Sequence, residues 1–130
     1  MLPEVVVMVT GQGASNQARG RFGEDVAVRY LSSIGLTVID RNWRCASGEL
    51  DVVALDGGIL VVCEVKTRST AAFGGPLAAV TPVKLARLRR LAAEWIAEHP
   101  LAVEGMRIDV IGVMCPPRGA ADVSHLRAVG

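Results

Sequence analysis

Two apolar runs, "GELDVVAL" from Gly48 and "ILVVCEVKT" from Ile59, carry carboxylates where a buried strand would carry only aliphatic side chains. A two-residue turn at Gly57-Gly58, the pair that best tolerates positive φ, joins them into a hairpin. In that register Leu55 faces Leu60, Val53 faces Val62, Asp51 faces Glu64 and Glu49 faces Lys66. Directly opposed residues project from one face of a sheet, so Asp51 and Glu64 meet side by side, with the Lys66 ammonium nearby. Opposed like charges destabilise a sheet and lose hydration when partly buried. A divalent cation such as Mg²⁺ offsets both costs: it takes one or two carboxylates, keeps several waters and accepts a phosphate oxygen as a further ligand. Rigid strands would fix the geometry of such a site.

A third acid comes from the segment before the hairpin. From Arg19 to Ile34, Ala27, Tyr30, Leu31 and Ile34 recur at helical spacing, and Gly35 supplies a stop. With Ala27 at the centre of the buried face, Glu24 lies about 60° away, inside the apolar arc, whereas Asp25 points elsewhere. Gly20 and Gly23 flank Glu24 and would let the helix approach the sheet or a phosphate closely. Structural ion pairing is the competing reading of these acids: Asp51 and Glu64 with Lys66, Arg68 or Arg44, and Glu49 with Lys66. Asp109, His99 and His125 are read as structural, Trp43 and Trp95 as packing, and Cys63 as a small buried residue.

The elements that must hold these residues follow in order. "LTVIDRNW" reads as a strand before the hairpin. "STAAFGGPLAAV" has loop chemistry, and the stretch from Ser69 to Ala79 is a candidate gate over the site. Thr81-Pro82 caps a long helix that runs to about Glu98 and is ended by Pro100. "MRIDVIGVM" is a fourth strand, and "HLRAV" in the tail is a candidate edge strand. Helix, three strands, helix, strand predicts an α/β fold: a mixed sheet flanked by helices, its last strand parallel to the third.

At 130 residues the chain is expected to form one domain over residues 18–116, with a flexible N-terminal extension at 1–17 and a C-terminal tail at 117–130. "MLPEVVVMVT" lacks the basic lead and small-residue cleavage pattern of a secretory signal, and is read as a short strand or a disordered extension. The 14 basic and 13 acidic residues give a net charge of +1, so a nucleic-acid partner must be met by a local patch. Cys45, Cys63 and Cys115 lack zinc or disulfide spacing, which points to a reducing cytoplasm, and the apolar opening is too short for a membrane span of about 20 residues, so no membrane association is expected. "GQGASNQ" completes no phosphate loop, and neither G-x-S-x-G nor H-E-x-x-H occurs.

With Glu24, then "GELD" carrying Asp51, then "CEVK" carrying Glu64 and Lys66, the chain resembles the PD-(D/E)XK nuclease superfamily. More narrowly it resembles the YraN-like family over about Ala18 to Val113, through "GE" at Gly23-Glu24, "RNWR" at Arg41 to Arg44, "GELDVVA", "EVKTR", "FGGP" and Lys84. The resemblance implies a restriction endonuclease-like core and, by analogy with archaeal Holliday-junction resolvases, cleavage of branched or flapped DNA. It implies that Asp51 and Glu64 bind Mg²⁺ or Mn²⁺ with the Val65 carbonyl, that Lys66 orients or deprotonates the attacking water, and that Glu24 holds a second ion or an outer water. Leu50 stands where the superfamily's name has Pro, and the Gln-x-x-x-Tyr element of some exonuclease branches is missing. Arg41, Arg44, Arg68, Lys84 and Arg87 are candidate phosphate contacts, with Arg19 and Arg21 on the same rim. A homodimer would present two such rims. The alternative is a module that keeps the fold and binds nucleic acid or a partner without chemistry.

Overall fold

The computed structural model describes residues 8–10, 16–69 and 80–129. Its elements are β1 (Met8–Thr10), α1 (Asn16–Ser33), β2 (Thr37–Cys45), β3 (Gly48–Asp56), β4 (Ile59–Arg68), α2 (Pro82–Glu98), β5 (Gly105–Met114) and β6 (Ala120–Leu126). They build one six-stranded sheet in the order β1-β6-β5-β4-β3-β2. β4 and β5 are parallel because α2 carries the chain back across the sheet between them, and the other neighbours are antiparallel, with hairpins joining β2 to β3, β3 to β4 and β5 to β6 while β1 adds to β6 from the start of the chain. The expected α/β core and its parallel final pair are therefore present.

The hairpin has the register expected from its turn: Val53 pairs with Val62 and Leu55 with Leu60. Gly57 alone of the turn pair has positive φ, at 59°, the pattern of a type II′ turn. α1 begins at Asn16, earlier than its apolar spacing implied, and ends at Ser33. There the Leu36 N–H donates back to the Leu31 carbonyl at 3.0 Å across Gly35. Ile34 thus falls beyond the helix and is half exposed, not buried with Ala27. α2 starts as its capping residues dictate: the Thr81 hydroxyl accepts from the Lys84 N–H at 3.1 Å, ahead of Pro82.

Each helix covers one face of the sheet. Val26, Ala27, Tyr30 and Leu31 of α1 pack on Val52, Val61, Cys63 and Ile111, whereas Leu88, Leu91, Ala92 and Trp95 of α2 pack on Val53, Leu60, Val62 and Ile108. Each fully buried aliphatic side chain contributes about 1.5–3 kcal/mol, so these two layers hold the central strands rigidly. Trp95 also donates to Asp40 at 2.8 Å, tying α2 to the bulged part of β2.

The tail contributes more than an edge strand. β6 lies between β5 and β1 and brings His125 into the α1 layer. There His125 Nε2 lies 2.8 Å from Asp109 Oδ2, and the Tyr30 hydroxyl lies 2.8 Å from Nδ1. Asp109 also accepts from Arg107 and from the Ala128 N–H, so its structural reading holds. No helix among the described residues is long and apolar enough to cross a membrane. The candidate gate, apart from Ser69, lies outside the described residues. So do Met1 to Val7 and most of the "GQGASNQ" link.

Candidate functional site

The β3–β4 ladder ends at the Val52–Cys63 pair, one step short of the two acids. Beyond it Asp51 Oδ2 accepts from the Val65 N–H at 2.9 Å, so a side chain takes over from the backbone where the strands part. The parted ends open a cleft of about 490 Å³ between the sheet and the start of α2. Asp51, Glu64 and Lys66 line it from the strands, and Lys84 and Arg87 line it from α2. Arg44 and Glu49 form its outer rim, and Leu88 and Leu91 reach it from the apolar layer behind.

Glu64 is the most buried charged group of the cleft. One of its oxygens, Oε2, meets Lys66 Nζ at 3.1 Å and Lys84 Nζ at 2.5 Å. Burial alone would raise the Glu64 pKa, but the two ammonium groups outweigh it and hold the carboxyl below its usual range. Asp51 behaves oppositely. Burial, then the negative charge of Glu64, push it up to about 7 against the pull of the Val65 N–H. The Asp51 and Glu64 carboxyls also lie within hydrogen-bonding reach of each other, an arrangement that calls for a proton or a cation between them.

The two lysines are driven apart as well. Burial and the adjacent Lys84 lower the Lys66 pKa in spite of Glu64. Burial would lower Lys84 too, but its bond to Glu64 prevails and raises it. Lys84 therefore remains a fixed positive charge, while Lys66 gives up a proton more readily than an ordinary lysine. Neighbouring groups with diverging proton affinities are the usual division into binding and proton-transfer roles.

Glu24 does not join the other acids in one group. Among the described residues no three His, Cys, Asp or Glu side chains gather to hold a metal ion. Glu24 instead lines a second cleft of about 460 Å³ with Gly20, Thr67 and Arg68, which meets the first along Val65 and Lys66. Its charge still reaches Asp51 and adds to the rise in that group's pKa. Gly23 sets how near it comes: a Cβ there would lie 2.0 Å from Thr67 Oγ1, so only glycine lets α1 approach β4 so closely. At Gly20 no described atom lies within 4 Å of such a Cβ, and close packing does not explain that glycine.

Of the expected phosphate contacts, Lys84, Arg87 and Arg44 line the first cleft and Arg68 the second. Arg41 does not belong with them: it binds Asp25 of α1 at 2.7 Å and serves as a link between helix and sheet. The expected Glu49–Lys66 pair is also absent. Glu49 turns to its β2 neighbour Arg44 at 3.3 Å, and Lys66 turns inward to Glu64. Sequence reasoning took Lys84 for a phosphate contact and missed its bond to Glu64. The available signal was its place one turn before Arg87, on the flank of α2 nearest the cap. Cys45, which also lines the cleft, left no signal beyond its position at the end of β2.

A family model described as "Uncharacterised protein family UPF0102" matches residues 23–113, a span that begins at Gly23-Glu24 and contains the cleft. A UPF0102 protein of Kineococcus radiotolerans is 57% identical over 116 residues, covering 88% of this chain and 95% of its own. A UPF0102 protein of Beutenbergia cavernae is 58% identical over 116 residues, covering 89% and 98%. A UPF0102 protein of Streptomyces coelicolor is 54% identical over 129 residues, covering 95% and 99%.

Proposed function

The chain belongs to the uncharacterised protein family UPF0102, the YraN family, and we propose that its acidic cleft is the active site of a divalent-metal-dependent DNA endonuclease. The observation that carries the reading is the pair Asp51 and Glu64, within hydrogen-bonding reach of each other at the parted ends of β3 and β4, with Lys66 beside them. This donor set suits Mg²⁺ or Mn²⁺: oxygen ligands from two carboxylates, the Val65 carbonyl within the same stretch, and room in the cleft for waters and a phosphate. Glu24, from the adjoining cleft, would hold an outer water or a second ion. When bound, the metal supplies an acidified water and neutralises charge on the phosphate oxygens.

The remaining work falls to the protein. Asp51 keeps its orientation through the Val65 N–H, and Glu64 keeps its own through Lys66. Lys66, with its lowered pKa, takes the proton of the attacking water and then balances the growing negative charge. Lys84, Arg87 and Arg44 hold flanking phosphates on one side, and Arg68 on the other. A cleft open to solvent and joined to a second one suits an extended or branched strand better than a small nucleotide.

The deciding assay is nicking of branched, flapped and linear DNA with and without Mn²⁺ or Mg²⁺, beside Asp51→Ala and Lys66→Ala. Divalent-dependent nicking by the wild type alone supports the reading, and identical behaviour of all three proteins on every substrate ends it. One observation favours a second reading, a binding module without chemistry: Glu64 is already neutralised by two ammonium groups without any metal. That module would bind DNA in a salt-sensitive way that survives loss of Asp51 and shows no response to divalent ions.

A further inference from the structure

We infer that Lys84 is a resident counter-ion: its ammonium occupies the Glu64 oxygen that a divalent cation would take, and loading of the cation releases it toward the substrate phosphate. The inference rests on the nuclease reading of the cleft.

Lys66 and Lys84 differ in how they reach Glu64. Lys66 belongs to the same strand, two residues on, and projects from the same face. Lys84 crosses the cleft from α2 and makes the shorter contact to the same Oε2 atom. A buried carboxylate left without a partner would be costly, so some cation must hold it before a metal arrives. The position of α2 does not depend on this contact, because Leu88, Leu91, Ala92 and Trp95 anchor the helix in the core and Thr81 caps it. Lys84 therefore hangs from a fixed backbone on a flexible four-carbon stem, and its head can leave Glu64 without disturbing the fold.

Charge decides when it leaves. A divalent ion held by Asp51 and Glu64 would repel the ammonium groups that share the Glu64 oxygen, and Lys84, which reaches that oxygen from another element, can swing away along α2, whereas Lys66 stays on the same strand face as Glu64. Three residues further along α2, Arg87 lines the same cleft, so a displaced Lys84 joins a guanidinium on one helix flank. Together they present a site for a phosphate oxygen. Metal and phosphate then assist each other: a phosphate that draws Lys84 away leaves Glu64 open to metal, and linkage makes the effect reciprocal.

The test is calorimetric titration of Mn²⁺ into the DNA-free protein, with the fold of each variant checked by thermal melting. Lys84→Met removes the competitor while Lys66 still accompanies Glu64, and Mn²⁺ binding is expected to tighten by about tenfold, the scale of one lost charge-assisted bond. Lys84→Arg, which retains a cation at the position, is expected to bind Mn²⁺ like the wild type. Arg87→Met removes a charge from the same cleft but not from Glu64, and is expected to change the affinity far less. Equal Mn²⁺ affinity in wild type and Lys84→Met overturns the inference alone, as does a gain in Arg87→Met equal to that in Lys84→Met. Absence of Mn²⁺ uptake by both wild type and Lys84→Met overturns the nuclease reading together with it.

Discussion

Two glycines on α1, three residues apart, should respond in opposite directions to the same added methyl group. In a helix interior, Gly→Ala ordinarily stabilises by about 1 kcal/mol through reduced backbone entropy in the unfolded chain. At Gly20 no described atom opposes the new Cβ, so Gly20→Ala should gain about 0.5–1 kcal/mol. At Gly23 the Cβ would lie 2.0 Å from Thr67 Oγ1, 3.0 Å from Cγ2 and 3.1 Å from Cβ. Rotating Thr67 moves its branch atoms but not its Cβ, so helix and strand must separate. Overpacking of this kind costs about 3 kcal/mol at the upper end of its range, and the helix-propensity gain leaves a net loss of about 2 kcal/mol. For a chain of this size that corresponds to a fall in Tm of about 8 °C. Urea unfolding followed by the fluorescence of Trp43 and Trp95 measures both variants. Thr67→Ala in the Gly23→Ala background removes two of the three close atoms and should restore more than half of the loss. A Gly23→Ala protein as stable as the wild type, or an equal loss in both single variants, would refute the claim that glycine is needed at 23 for contact with β4.

Three further outcomes are expected. Saturating Mn²⁺ should raise the Tm of the wild type, by the equivalent of about 2.7 kcal/mol at a hundredfold excess over Kd, and should leave Asp51→Asn unmoved in a melting assay. In DNA binding measured over a range of salt, Arg87→Ala should lower the slope of log K against log salt by about 1, whereas Arg41→Ala, whose side chain is engaged with Asp25, should leave it unchanged. Burial acts to raise the pKa of Asp109, but His125, the Ala128 N–H and Arg107 prevail and hold the carboxyl below its ordinary range. Its stabilising contribution is therefore complete above the unfolded-state value near 3.8 and is lost as pH falls through the still lower folded value. Urea unfolding between pH 6 and pH 2 should show this acid loss in the wild type and a shallower one in Asp109→Asn.

If the cleft works as proposed, three successive residues of β4 govern most of its chemistry. Val65 donates its N–H to one acid, and its neighbours Glu64 and Lys66 supply the other acid and the amine. Val65 and Lys66 line both clefts. A bound strand running through both would cross directly above Lys66, which fits the use of that lysine, and not the firmly charged Lys84, for proton transfer.

Local patterns were enough to identify the two helices and the four strands β2 to β5, and to bring Asp51 close to Glu64. Alternation, the Gly57-Gly58 turn and the Thr81-Pro82 cap all act over a few residues, and a two-residue period leaves little freedom in a hairpin once its turn is set. Reading side chains from strand register alone failed where a long, flexible cation could choose its partner: Lys66 turned from Glu49 to Glu64, Lys84 crossed from another element, and Arg41 was taken up by Asp25. Those choices depend on distances between elements far apart in the chain, which no periodicity encodes. The placement of Glu24 was likewise decided by the tertiary structure. Helical phase aimed it at the sheet, but the approach of α1 to β4 at Gly23 and Thr67 put it in the neighbouring cleft, near enough to influence Asp51 and apart from the Asp51–Glu64 pair.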